Sequence, residues 1–166
     1  MADFTQRMIG AATLDMLTYE EVEYDRTATR QAAAVVTLVA VSRGIGSVGP
    51  PDVVYALVNC FVGWFFWTAI SLFVGTRIFS GVGDWGQMLR TLGFAYAPGV
   101  LFILGIIPTV GRFVEVPVGI WMLACGVIAV RQAMDLSTDA AIGTVALAWL
   151  GEQMVFLTLQ AVMGLR

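Results

Sequence analysis

Residues 53–76 read VVYALVNCFVGWFFWTAISLFVGT, with no charged side chain in the stretch. A helix needs about 20 apolar residues to cross the hydrocarbon of a bilayer, so this segment reads as a transmembrane helix. Its aromatic run, Phe61 to Trp67, is suited to lipid contact and interhelical packing. Four further apolar segments lie around it. Residues 31–48 form one, with Arg43 snorkelling to an interface. Residues 88–107 form another, and Pro98-Gly99 at its mid-depth predicts a kinked or broken helix. Residues 117–130, a short span that extends at most to Met134 with Arg131 at the headgroups, and 140–163 complete the set. The expected turns are Gly49-Pro50-Pro51-Asp52, residues 108–117 with Arg112 and Glu115, and residues 135–139. The expected fold is all-α: a polytopic integral membrane helical bundle of five transmembrane helices.

Composition agrees. Of 166 residues, 58% are hydrophobic and only 13% charged, and mean hydropathy is +0.83. A soluble domain carries about 25% charge, so these charges could not cover a water-exposed surface. His and Lys are both absent. That removes imidazole acid–base work, Schiff-base chemistry and the P-loop lysine. Cys60 and Cys125 sit in apolar runs and read as small hydrophobes. The net charge of −3, without a basic stripe, argues against nucleic acid as a partner. No cofactor, metal or catalytic set is expected.

The N-terminal segment differs. Phe4, Met8, Ala11, Ala12, Leu14 and Leu17 recur at helical spacing among charged residues, which predicts one amphipathic, interfacial helix. Glu20, Glu21, Glu23 and Asp25 follow. They read as a solvated loop ahead of a helix that Thr27 or Thr29 caps, or alternatively as a partner-docking or cation-binding patch. Residues 1–28 are therefore set apart from a five-helix domain over 29–166. Arg26, Arg30, Arg77, Arg90 and Arg131 fall on the N-terminal side of the spans, against Arg43, Arg112 and Arg166. This bias places the N-terminus in the cytoplasm.

Two features carry candidate chemistry. GVGDWG at 81–86 fits a dinucleotide fingerprint, but an apolar span precedes it where a strand is required, so it reads as a turn anchored by Trp85. Glu152 lies mid-span beside Gln153. An acid at that depth costs about 2.5–3.5 kcal/mol on insertion scales and so faces the bundle interior, pairs or protonates. Asn59, Thr68 and Tyr96 are possible partners. Packing glue, a proton or ion relay, and pairing with another subunit all remain open for Glu152.

Several short stretches resemble the Yip domain family, the Ypt/Rab-interacting membrane proteins, in a bacterial form. They are GTRIFSGVG at 75–83, QMLR at 87–90, GFAYAP at 93–98, VIAVR at 127–131 and Leu136-Ser137. The resemblance implies five spans with a cytosolic N-terminus, and roles for Gly93, Tyr96 and Pro98 in setting helix geometry. Eukaryotic members of that family act in vesicle traffic and bind Rab-type GTPases and one another. Their Asp-Leu-Tyr-Gly-Pro stretch is absent here. The resulting expectation is a non-enzymatic scaffold or assembly partner in a bacterial inner membrane, contacting the bilayer and other integral membrane proteins in a hetero-complex or homo-oligomer. The alternatives are an accessory subunit of a respiratory or photosynthetic complex, and a small transporter or channel centred on Glu152.

Overall fold

The computed structural model describes residues 3–47 and 52–163, and every element in them is helical. The turn expected at Gly49-Pro50-Pro51 and the Arg166 terminus lie outside these residues. Where the sequence predicts one N-terminal helix there are two, α1 (Phe4–Ala12) and α2 (Met16–Tyr24). Leu14, at φ 64°, turns the chain between them. Each has its own N-cap. Asp3 accepts from the Gln6 N–H while the Gln6 side chain accepts from the Asp3 N–H, and Asp15 accepts from Leu17 and Thr18. That second cap corrects the loop expected for the acids: Glu20, Glu21 and Glu23 are on α2, and Asp25 ends it. Thr27 precedes the next helix, but its side chain does not cap it. Its hydroxyl donates to Asp25 instead, at 2.6 Å.

The bundle follows as α3 (Ala28–Gly46), α4 (Val53–Arg77), α5 (Trp85–Ala95), a 3₁₀ segment (Ala97–Ile106), α6 (Pro108–Ala133) and α7 (Thr138–Met163). Among the described residues three helical stretches are long and apolar enough to cross a membrane: Val53–Arg77, Trp85–Ile106 and Thr109–Ala133. The break expected at Pro98-Gly99 falls there: α5 stops at Ala95, and ten residues continue as 3₁₀ helix. Proline cannot donate in the i→i−4 ladder, and the tighter winding lets the chain run on. The turn expected over residues 108–117 is instead the first part of α6, which runs straight through Pro117. An interior proline costs a helix about 3 kcal/mol. Packing of α6 against the 3₁₀ segment, α5, α7 and α2 offsets that.

Small residues set the closest approaches. A Cβ on Gly46 would strike the Phe102 carbonyl, and one on Gly105 would strike the Gly46 carbonyl, so α3 and the 3₁₀ segment meet backbone to backbone. The α4–α5 turn lies on the end of α6, with the Val82 N–H donating to the Met134 carbonyl at 3.1 Å. Asp84 and Gln87 cap α5 reciprocally, and the Trp85 ring stacks on Phe65.

The α1–α2 hairpin docks on α5 and α6 through directed bonds. The Trp121 indole donates to the Ala12 carbonyl at 2.7 Å, while within the hairpin the Tyr19 hydroxyl of α2 donates to the Ala11 carbonyl of α1 at 3.1 Å. Cys125 Sγ donates to the same Ala11 oxygen. The Arg90 guanidinium donates to the Val22 and Glu23 carbonyls, filling the open acceptors at the end of α2.

Candidate functional site

A chamber of about 380 Å³ opens between α3, α4, the 3₁₀ segment, α6 and α7. Asn59, Gly63 and Trp67 come from one face of α4 at helical spacing. Tyr96 comes from the α5–3₁₀ break, Glu115 and Gly119 from α6, and Trp149 and Glu152 from α7. Gly63 is where the polar tips converge: a Cβ there would lie 3.1 Å from Glu152 Oε1 and 3.5 Å from the Tyr96 hydroxyl. The Tyr96 ring meets Trp67 with centroids 5.8 Å apart. Glu152, Asn59 and the Tyr96 hydroxyl make no hydrogen bond or ion pair among the described residues. Polar groups facing a cavity are normally paired, so this wall presents the Glu152 carboxyl, the Tyr96 hydroxyl and the Asn59 amide to whatever occupies the space.

At the chamber's mouth the Arg43 guanidinium lies 4.8 Å from the Phe102 ring centroid and 3.6 Å from Glu115 Oε1. A second cavity, of about 450 Å³, shares Arg43, Phe102 and Glu115 and extends toward Gly46, Ser47, Gly105 and Gly111. The cation–carboxylate pair therefore stands between two adjoining spaces. Both side chains are largely exposed, so the pair is weak and easily parted.

The acidic cluster has a different character. Arg7, 1% exposed, pairs with Glu21 at 2.9 Å and Asp25 at 2.8 Å and donates to Gln31 at 2.9 Å. Glu23 accepts from Gln87 Nε2 at 2.8 Å. Glu20 remains exposed. The hydrogen bond from Thr27, with help from Arg7, holds the Asp25 carboxyl down at about 2. Burial pushes the Glu23 carboxyl up to about 7, with Asp135, Glu20 and Asp84 adding to the rise and Arg90 opposing it. Among the described residues no group of His, Cys, Asp and Glu could hold a metal ion.

The structure thus joins Glu152 and Asn59 in one chamber and leaves Gln153 exposed, outside the lining. Tyr96 both ends α5 and lines the chamber. Gly93 lets Trp64 and Ala32 close in, and Pro98 lies buried in the 3₁₀ segment. Sequence reasoning missed Arg43, Glu115, Trp67 and Trp149 as lining residues. The signal was present for Glu115, since with Gly119 and Met122 it forms an i, i+4, i+7 face once residues 108–117 are helical. No curated protein and no solved structure matches the chain. A family model described as the Yip1 domain matches residues 12–159.

Proposed function

This chain belongs to the Yip1 domain family, and on that premise we propose a five-span, non-enzymatic membrane protein that scaffolds or helps assemble other integral membrane proteins. α3 and α7 supply the remaining spans. The setting is a bacterial inner membrane with the N-terminus in the cytoplasm, as the arginine bias favours. One observation carries the reading. Arg7, Glu21, Glu23 and Asp25 at the N-terminal end are committed within the chain, while the outward faces of the long helices are apolar, with Val54, Val58, Phe66 and Phe73 on α4 and Phe113 and Ile120 on α6 exposed. Such faces meet lipid or other membrane proteins. Docking by the acidic cluster falls to the exposed Glu20. The protein extracted gently from its own membranes is expected to migrate on a native gel with other membrane proteins identified by mass spectrometry. Migration as a lone monomer overturns the scaffold. Co-migration with a complete respiratory or photosynthetic complex replaces it with an accessory subunit.

The chamber favours a second reading, a small transporter centred on Glu152. It predicts a pH-dependent flux in proteoliposomes that Glu152→Gln abolishes. Absence of flux removes it.

A further inference from the structure

The chamber wall specifies the chemistry of an occupant. Glu152, Glu115 and Arg43 leave one carboxylate in excess, and Arg43 already faces Glu115. The group without a partner is therefore Glu152, with the Tyr96 hydroxyl and the Asn59 side chain beside it. Glu152 Oε1 and the Tyr96 hydroxyl converge over Gly63, and Asn59, one helical turn away on α4, adds an amide to the same wall. Among the described residues no group of three or more His, Cys, Asp or Glu gathers to hold a metal ion. The rest of the wall is apolar and aromatic, with Trp67, Tyr96 and Trp149 presenting rings that attract a cation. About 380 Å³ is the size of a small-molecule site, far larger than an ion.

We propose that the chamber is a binding site for an organic cation bearing a primary ammonium group and an apolar body. The ammonium donates to Glu152, to Tyr96 and to the Asn59 side-chain oxygen, and the aromatic and aliphatic wall holds the body. Gly119 leaves space for it, since a Cβ at that position would meet nothing within 4 Å. Ligand enters past the Arg43–Glu115 pair from the adjoining cavity. The site rests on the geometry of the chamber, so it stands whether or not the ligand crosses the membrane and whatever proteins the chain assembles with. The ammonium has two available sources, a free amine and the headgroup of an aminophospholipid.

The test uses the full chain in nanodiscs of phosphatidylcholine, whose quaternary headgroup has no N–H. Phenethylammonium is the probe, and tryptophan fluorescence and thermal shift are the readouts. Saturable binding is expected, with Glu152→Gln weakening it at least tenfold and Tyr96→Phe weakening it less. Uncharged 2-phenylethanol and the trimethylated amine are expected to bind at least tenfold more weakly than the probe. These two comparisons use the wild-type protein and hold even if a variant fails to fold. Repeating the titration with phosphatidylethanolamine in the disc separates the sources. Displacement of the probe assigns the site to the lipid headgroup, and retention assigns it to a free amine. Either result upholds ammonium recognition. Equal binding of the neutral, trimethylated and primary ammonium probes, binding indifferent to Glu152→Gln, or no saturable binding overturns it.

Discussion

The two ends of this bundle handle buried charge in opposite ways. At the N-terminal end Arg7, Glu21, Glu23, Asp25 and Arg90 all have partners within the chain: Arg7 ties α1 to α2 and to Gln31 of α3, and the Gln87 and Arg90 bonds fasten α2 to α5. In the chamber Glu152, Tyr96 and Asn59 have none. Paired groups hold an element in place and lose stability when one partner is removed. Unpaired groups facing a cavity add little to stability and are available to a ligand. The contrast separates residues that maintain the fold from residues that can act.

The sharpest way to break the contrast is to compare Arg7→Met with Glu152→Gln. Removing Arg7 strands the Asp25 carboxylate in a buried position, and breaking such a pair costs about 3 kcal/mol or more. Thermal unfolding of the purified protein is expected to show that loss, and trypsin is expected to cut at Arg26 far sooner. Glu152→Gln is expected to stay within about 1 kcal/mol of wild type. A large loss from Glu152→Gln would make it a packing residue and erase the distinction.

Glycines give the next largest effect. Gly46→Val forces a side chain against the Phe102 carbonyl, and overpacking of that kind costs about 1–3 kcal/mol. Gly119→Ala enters open space in the chamber, so stability is expected to hold or to rise by up to about 1 kcal/mol through helix propensity. Chemical denaturation of the two variants side by side measures the difference.

What was legible in the sequence follows from range. The apolar stretch around Trp64 and the break at Pro98 are local signals, and both are in the structure. The N-terminal pattern of apolar residues was also visible, but not its division, because Leu14 is a poor candidate for positive φ and nothing in its residue type announces the turn. Glu152 and Asn59 were legible from polarity within apolar runs, whereas the approach of Glu152 to Tyr96 over Gly63 depends on α4, α7 and the α5–3₁₀ break meeting there. Arg43 and Glu115 were assigned to interface and turn, since Pro117 argues against a helix that only tertiary packing sustains. The pairing of Arg7 with Asp25 links residues from separate elements, and no local pattern predicts it.

Within the paired end, pH offers a finer probe. Glu23 has a carboxyl raised to about 7, above its value in an unfolded chain. The folded state therefore binds the extra proton, and docking weakens as pH rises from about 4.5 through 7, by an amount on the order of 1–2 kcal/mol. Asp25 has the opposite sign. Its carboxyl, held at about 2, contributes stability that is lost only as pH falls below about 4 toward 2. Melting temperature is thus expected to fall between pH 5 and pH 8 in wild type and to flatten in Glu23→Gln. Parallel profiles for the two proteins would show that Glu23 does not govern the docking.

The smallest expected effect tests whether the hairpin is held by directed bonds or by apolar contact alone. Trp121 is partly exposed on α6, yet its indole N–H finds the Ala12 carbonyl at 2.7 Å. That carbonyl lies at the end of α1, where the helix leaves its last acceptors without partners. Trp121→Phe keeps most of the aromatic area and removes the donor, so the loss is expected to be about 1 kcal/mol, the net worth of one hydrogen bond. Combining it with Arg7→Met separates the two possibilities. If the Arg7 and Trp121 bonds hold α1 as one cooperative unit, the double variant loses less than the sum of the singles, because Arg7→Met alone already loosens α1 and leaves Trp121 little to hold. If the losses add, α1 is fastened independently at Arg7 and at Ala12, and the N-terminal anchorage is a set of separate contacts.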